Sequence, residues 1–132
     1  MTHARILARI LIVEDEVLVA IANAEILEDL GYRVIGMAVS HEEAVDQAAT
    51  AIPDLVLMDI RLKGAVDGIV SAGILKERHG CRVLFVTGQG DATTRERAAA
   101  VGPAGYLRKP FTPGQLADAV AAALAWAPLR SG

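Results

Sequence analysis

With 132 residues and a formal net charge of -3, the chain has the length of one ordinary domain, and its basic residues are scattered, leaving no electrostatic footprint for direct nucleic-acid binding. Its 53% apolar and 22% charged content is that of a globular protein able to bury a full core. The lone cysteine, Cys81, excludes an internal disulfide, and the longest apolar run, Ala119 to Leu129, is too short and too Ala-rich to span a bilayer. No apolar segment of signal-peptide type precedes the first strand, so no membrane contact and a cytoplasmic location are expected.

In chain order, apolar strand runs alternate with helical patterns. Arg9 to Val13 reads as the first strand and stops at Glu14-Asp15-Glu16. From about Glu16 to Leu30, the positions Leu18, Ile21, Ala22, Ile26 and Leu30 recur at helical spacing and predict the buried stripe of a first helix closed by Gly31. Arg33 to Ala38 is a second strand, interrupted by Gly36 and so placed nearer an edge. Ser40 as N-cap and Glu43 at the third helical position form a capping-box pattern opening a second helix, with His41 and Glu42 on its solvated first turn.

Asp54-Leu-Val-Leu-Met-Asp59 is a short apolar run, preceded by Pro53 and ending on an acid. Without in/out alternation it reads as a parallel strand covered on both faces. Asp59 then stands at its carboxyl end, where open α/β sheets bind ligands, although a strand-end Asp taken alone more often just starts a loop. Gly64 permits an unusual backbone angle in the loop that follows. Asp67 caps a third helix running to about His79, with Ile69, Ala72 and Leu75 inward and His79 beside Gly80, where a cation suits the macrodipole. Cys81, a small buried hydrophobe, leads into a fourth strand over Arg82 to Val86. Asp91 caps an unusually polar fourth helix ending near Gly102-Pro103. Ala104 to Leu107 is a short fifth strand, and Thr112, Pro113 and Gln115 start a fifth helix with Leu116, Val120, Ala123 and Leu124 as its buried stripe.

This alternation specifies an α/β fold, a doubly wound five-stranded parallel sheet with right-handed crossovers and the first, third and fourth strands central. Neighbouring strands lie about 4.8 Å apart, so their ends share one pocket. Glu14, Asp15, Asp59, Thr87 and Lys109 therefore converge on one edge. Three carboxylates so close repel unless a proton or cation neutralises them, and oxygen-only ligation suits Mg²⁺ better than Zn²⁺ or Ca²⁺.

The set Ile-Val-Glu14-Asp15, Leu-Met-Asp59, Val-Thr87-Gly and Tyr106-Leu-Arg-Lys109-Pro110-Phe resembles the receiver domain of two-component response regulators. The likeness covers residues 5–126, with four motifs at four strand ends in the right order. It implies the flavodoxin-like (βα)5 fold with strand order 2-1-3-4-5 and a single receiver domain filling residues 1–132. It also implies that Asp59 is the phosphoacceptor, that Glu14, Asp15 and Asp59 with the Arg61 backbone carbonyl hold Mg²⁺ or Mn²⁺, and that Lys109 pairs with the phosphoryl group. Thr87 and Tyr106 take the switch positions, and Lys109-Pro110 the family's cis peptide bond. The protein would be a signalling phosphoacceptor that assists its own phosphorylation and dephosphorylation rather than a metabolic enzyme. Its implied partners are a histidine kinase or histidine phosphotransfer protein upstream, and a downstream protein or second copy on the Asp91 to Trp126 face, where Ala121, Ala122, Ala125 and Trp126 are oddly apolar.

The sequence departs from the family pattern in one loop. Leu62-Lys63-Gly64-Ala65-Val66-Asp67-Gly68 lacks the usual Met-Pro and runs one residue longer. Leu84-Phe85-Val86-Thr87-Gly88 is similar to a branch of stand-alone receivers, with Arg61 and Gln89 flanking the site. No output domain is expected after residue 126, which suggests a phosphorelay intermediate, phosphate sink or diffusible regulator. The competing readings are a receiver-like scaffold acting without phosphorylation and the receiver part of a longer regulator. A phosphatase of the aspartyl-phosphate type would need an acid where Arg61 stands.

Overall fold

The computed structural model describes residues 6–88 and 90–126; Gln89 and the expected tail at 127–132 lie outside the described residues. Five strands, β1 (Arg9–Val13), β2 (Arg33–Ala38), β3 (Leu55–Asp59), β4 (Arg82–Thr87) and β5 (Gly105–Arg108), alternate with α1 (Val17–Asp29), α2 (His41–Thr50), α3 (Gly68–His79), α4 (Ala92–Ala100) and α5 (Pro113–Ala125). The strands form one parallel sheet in the order β2-β1-β3-β4-β5, the flavodoxin-like arrangement. β3, the middle strand, is buried at every position, which is why its sequence shows no alternation. One sheet face packs Val56, Met58 and Phe85 against Ala44, Ala72 and Leu75 of α2 and α3. The other packs Ile12, Leu57 and Leu84 against Leu27, Leu116 and Val120 of α1 and α5.

Side-chain caps set the helix starts. Asp67 accepts from the Val70 N–H at 2.9 Å and Asp91 from that of Thr94 at 2.8 Å. Thr112 and Gln115 complete a capping box, with bonds of 2.9 and 3.1 Å. Ser40 accepts from the Glu43 N–H, but the Glu43 carboxylate reaches the N–H of Val39, one residue before the cap. Gly80 ends α3 in the left-handed region at φ 67°.

The capping box expected at α2 is thus only half made, and two further expectations are corrected. The buried face of α1 is Ala20, Asn23 and Leu27, with Ile26 partly covered, whereas Leu18 is 81% exposed and Ile21, Ala22 and Leu30 also face outward. The first half of the helix, Val17 to Ala22, is apolar all round, so there the packing of α1 on β1, and not the helix's own period, decides which residues face the sheet. His41 is half-buried, and its Nδ1 is 2.7 Å from the Oγ of the fully buried Ser71, joining α2 to α3. Burial obliges Ser71 to find a partner, and the first turn of α2 supplies it.

On α5, Leu116, Val120 and Ala123 are buried, Ala121, Ala122 and Ala125 are exposed, and Trp126 is half-buried with its carbonyl accepting from Arg82 Nε at 3.1 Å. α4 has one buried residue, Ala98. Polar contacts from α3 and its cap hold it instead: Lys76 Nζ donates to the carbonyls of Val101 and Gly102 at 2.9 and 2.8 Å, and Arg97 pairs with Asp67 at 2.9 Å. No helix among the described residues is long and apolar enough to cross a membrane.

Candidate functional site

The parallel register places Val13 beside Met58, so the residues leaving β1 and the last residue of β3 emerge together. Carboxylate oxygens of Glu14, Asp15 and Asp59 all lie within 4.8 Å of one another. Glu14 and Asp59 are 4% and 6% exposed, and Asp15 is half-buried at the rim. Lys109, whose N–H is held by the Thr87 carbonyl at 2.7 Å, sends its Nζ to 3.4 Å from Asp59 Oδ2 and 3.5 Å from Glu14 Oε1. The Lys109-Pro110 peptide bond is cis.

Asp59 Oδ1 accepts from the Arg61 N–H at 3.0 Å. Gly68 opens α3 directly against this strand end: a Cβ there would collide with the Asp59 carbonyl, and its N–H bonds the Ile60 carbonyl at 3.0 Å.

Burial of Glu14, together with a hydrogen bond from its protonated form to Asp59, pushes its pKa up to about 7, against the opposing pull of the Glu16 N–H and Lys109. For Lys109, burial disfavours the ammonium, but the carboxylates of Asp59 and Glu14 outweigh it and raise the pKa. The lysine is therefore charged at neutral pH, and Glu14 in the metal-free cluster titrates near neutrality instead of in the usual carboxylate range.

Thr87 and Tyr106 line one cavity of about 680 Å³ between α4 and β5, together with Gly90, Thr94, Arg95 and Arg108. The Thr87 hydroxyl donates to the Gly88 carbonyl at 3.2 Å. Tyr106 is 48% exposed, its ring stacked on Phe85 with centroids 6.1 Å apart. The structure thus brings Glu14, Asp15, Asp59 and Lys109 into one cluster and Thr87 and Tyr106 onto an adjoining cavity.

Two residues near the site escaped sequence reasoning. Asn23 is 7% exposed and lines a small cavity shared with Glu14 and Asp59. Its signal was a lone amide three residues after Ala20 and four before Leu27. Gly68 was read as part of a loop motif, whereas its role is close approach.

The matching family is the response regulator receiver domain, over residues 10–121, and the chain belongs to it. The chain is 36% identical over 112 residues to the transcriptional regulatory protein PdtaR of Mycobacterium tuberculosis (strain ATCC 25618 / H37Rv), covering 85% of this chain and 54% of that protein. It is 35% identical over 117 residues to the phyllosphere-induced regulator PhyR of Methylorubrum extorquens, covering 87% and 43%. It therefore spans about half the length of the curated relatives it matches. Among solved structures, it is similar to the signal receiver domain of a modulated diguanylate cyclase from Desulfovibrio desulfuricans G20, with TM-score 0.84, 39% identity and coverage of 90% and 94%. A CheY-like receiver domain protein from Methanospirillum hungatei JF-1 gives TM-score 0.81 at 27% identity, covering 89% and 93%.

Proposed function

We propose that this receiver accepts a phosphoryl group on Asp59 from a histidine kinase or histidine phosphotransfer protein and answers by changing a protein-interaction face. The observation that carries this reading is the buried Asp59 carboxylate, with the Lys109 ammonium 3.4 Å away and two further acids beside it. The donor set fits a hard divalent cation: all three side chains offer oxygen, and the cluster carries more negative charge than one lysine offsets. Glu14, Asp15 and Asp59, with the Arg61 carbonyl, would hold Mg²⁺ or Mn²⁺. Bound there, the cation supplies neutralisation of charge on the transferring phosphoryl group.

A carboxylate oxygen of Asp59 attacks the phosphorus of the phosphohistidine. The O–P bond forms as the N–P bond breaks, and the departing imidazole nitrogen keeps the electron pair and takes up a proton. Lys109 stabilises charge on the phosphoryl oxygens, and positioning does the rest. The Thr87 hydroxyl exchanges the Gly88 carbonyl for a phosphoryl oxygen, and Tyr106 moves into the adjoining cavity. This remodels the face of α4, β5 and α5, where a downstream protein or a second copy docks.

The test is incubation with a low-molecular-weight phosphodonor and Mg²⁺. One acid-stable, base-labile phosphoryl group per chain is expected, and none on Asp59→Asn. Undiminished labelling of that variant would remove Asp59 from the role.

A further inference from the structure

α1 places its charges against its own stability. Glu28 and Asp29 stand in its last turn, where the helix dipole is negative, and no basic residue shares that turn. Glu25 lies three residues before Glu28 and four before Asp29, so like charges neighbour one another along one side of the helix. Among the described residues, no cation forms an ion pair with any of these acids, and Glu28 Oε1 accepts from the Val34 N–H at 3.0 Å.

The same acids rim apolar surface. Between α1 and the edge strand β2 runs a shallow, open cleft of about 410 Å³, lined by Ile21, Ala24 and Met37 together with Glu25, Glu28 and Asp29. Ile21 is 39% and Met37 41% exposed, and Leu18, three residues before Ile21 on the helix, continues the apolar line at 81%. A slip in the β1–β2 register, with Ile10 opposite Val34 but Leu11 opposite Gly36, sets Met37 beside Ile12 on the α1 side of the sheet. Large apolar side chains gathered on one surface and rimmed by polar groups mark an interaction site, where single scattered ones do not.

The charge of the rim decides the occupant. We propose that the α1–β2 cleft is a docking site for a basic amphipathic helix of a partner protein. Apolar side chains of that helix enter between Ile21 and Met37, and its Lys or Arg side chains reach Glu25, Glu28 and Asp29. Cations brought by the partner relieve the like-charge repulsion and offset the helix dipole, so an arrangement that destabilises the free chain favours the complex. β2 and β5 are the two edges of the sheet, so this cleft and the α4–β5 cavity lie on opposite sides, and one receiver can hold a partner at each.

The probe is a synthetic amphipathic helical peptide of Leu and Lys, with a peptide of the same composition in scrambled order as control. Binding to the whole chain is followed by calorimetry and amide exchange. The ordered peptide should bind at low salt, protect α1 and β2, and weaken as salt is raised, whereas the scrambled peptide, equally charged but without an apolar face, should bind about tenfold more weakly. Ile21→Ser combined with Met37→Ser should weaken binding about tenfold. Replacing the acids together, by Glu25→Gln, Glu28→Gln and Asp29→Asn, should weaken it about fivefold while the melting temperature of the free protein stays level or rises. Acids kept for structure would lower that temperature when replaced. Absence of binding, protection outside α1 and β2, parental affinity in either variant, or a melting temperature lowered by the acid replacements overturns the inference. Dimerisation of the parent that the acid replacements abolish would give the cleft to a second copy and overturn the basic partner.

Discussion

Asp67 serves two helices at once: one carboxylate oxygen caps α3 through the Val70 N–H at 2.9 Å, and the other holds Arg97 of α4 at 2.9 Å. Both side chains of the ion pair are partly solvated, so Arg97→Ala should cost only about 0.2–1 kcal/mol, whereas Asp67→Ala also loses the cap and should cost about 1–2 kcal/mol. Burial opposes ionisation of Asp67, but the Val70 N–H and Arg97 prevail and hold its pKa below the ordinary 3.8. Because the folded value lies below the unfolded one, this contribution is present above the unfolded pKa and lost as pH falls through the folded one. Urea denaturation at pH 7 and pH 3 should therefore show the gap between parent and Asp67→Ala shrinking in acid. A constant gap would exclude the charged cap as its source.

Glu14 has the opposite sign. Its folded pKa of about 7 lies above the ordinary 4.5, so the folded state binds the proton more tightly. The stabilisation is full below about 4.5 and is lost as pH rises through the window up to 7. Without metal, the melting temperature should decline across that window, and Glu14→Gln should flatten the decline. Mg²⁺ must displace the proton, so its stabilising effect should be larger at pH 8 than at pH 5.5. At ten times its dissociation constant the cation contributes about 1.4 kcal/mol. An unchanged pH slope in Glu14→Gln would assign the titration to another group.

Gly68 and Gly73 occupy the same helix and should respond oppositely to alanine. At Gly68 the added methyl meets the Asp59 backbone carbonyl, so Gly68→Ala should cost about 1–3 kcal/mol or more and weaken Mg²⁺ binding as the strand end shifts. At Gly73 the nearest atom is Val101 Cγ2 at 4.0 Å, and Gly73→Ala should gain about 0.5–1 kcal/mol from helix propensity. Chemical denaturation of the two variants measures both. Equal effects would show that the close approach at Gly68 is relieved without cost.

Phosphorylation should change amide exchange over residues 91–126 and leave β1 and β3 protected. Tyr106→Ala, which removes the ring stacked on Phe85 over the cavity, should uncouple phosphorylation from that change while leaving labelling of Asp59 intact. Identical exchange in both states of the parent would exclude this face as the output.

Element order and the acidic cluster were legible because each rests on local chemistry, apolar runs ended by acids and caps at fixed spacing, whereas the full strand order and the cis Lys109-Pro110 bond came from the resemblance to receiver domains. α1 was misread in phase because the acids that mark its exposed face, Glu25, Glu28 and Asp29, share that face with Leu18 and Ile21, which were read as buried. The one polar residue inside its span that faces the sheet, Asn23, carried the phase. It was passed over because a buried amide makes sense only once its neighbours across the sheet are known. His41 was equally illegible, since its partner Ser71 lies thirty residues away on another helix.

α4 behaves mechanically as a rod fixed at one end. Its ties, Arg97 to Asp67 and Lys76 to the carbonyls of Val101 and Gly102, grip the C-terminal half, while the N-terminal half lies over the cavity, where Asp91 and the Gly90 carbonyl bond within its own first turn and Arg61 attracts the Asp91 carboxylate. Nine residues make a rod of ~13 Å, so a tilt of ~10° about the gripped end carries the tip by ~2 Å. That travel is greatest beside Gly90, next to the Thr87 hydroxyl, and least at Lys76. A displacement of the Thr87 hydroxyl would therefore be taken up at the free tip and fade along the helix toward the ties at Val101 and Gly102.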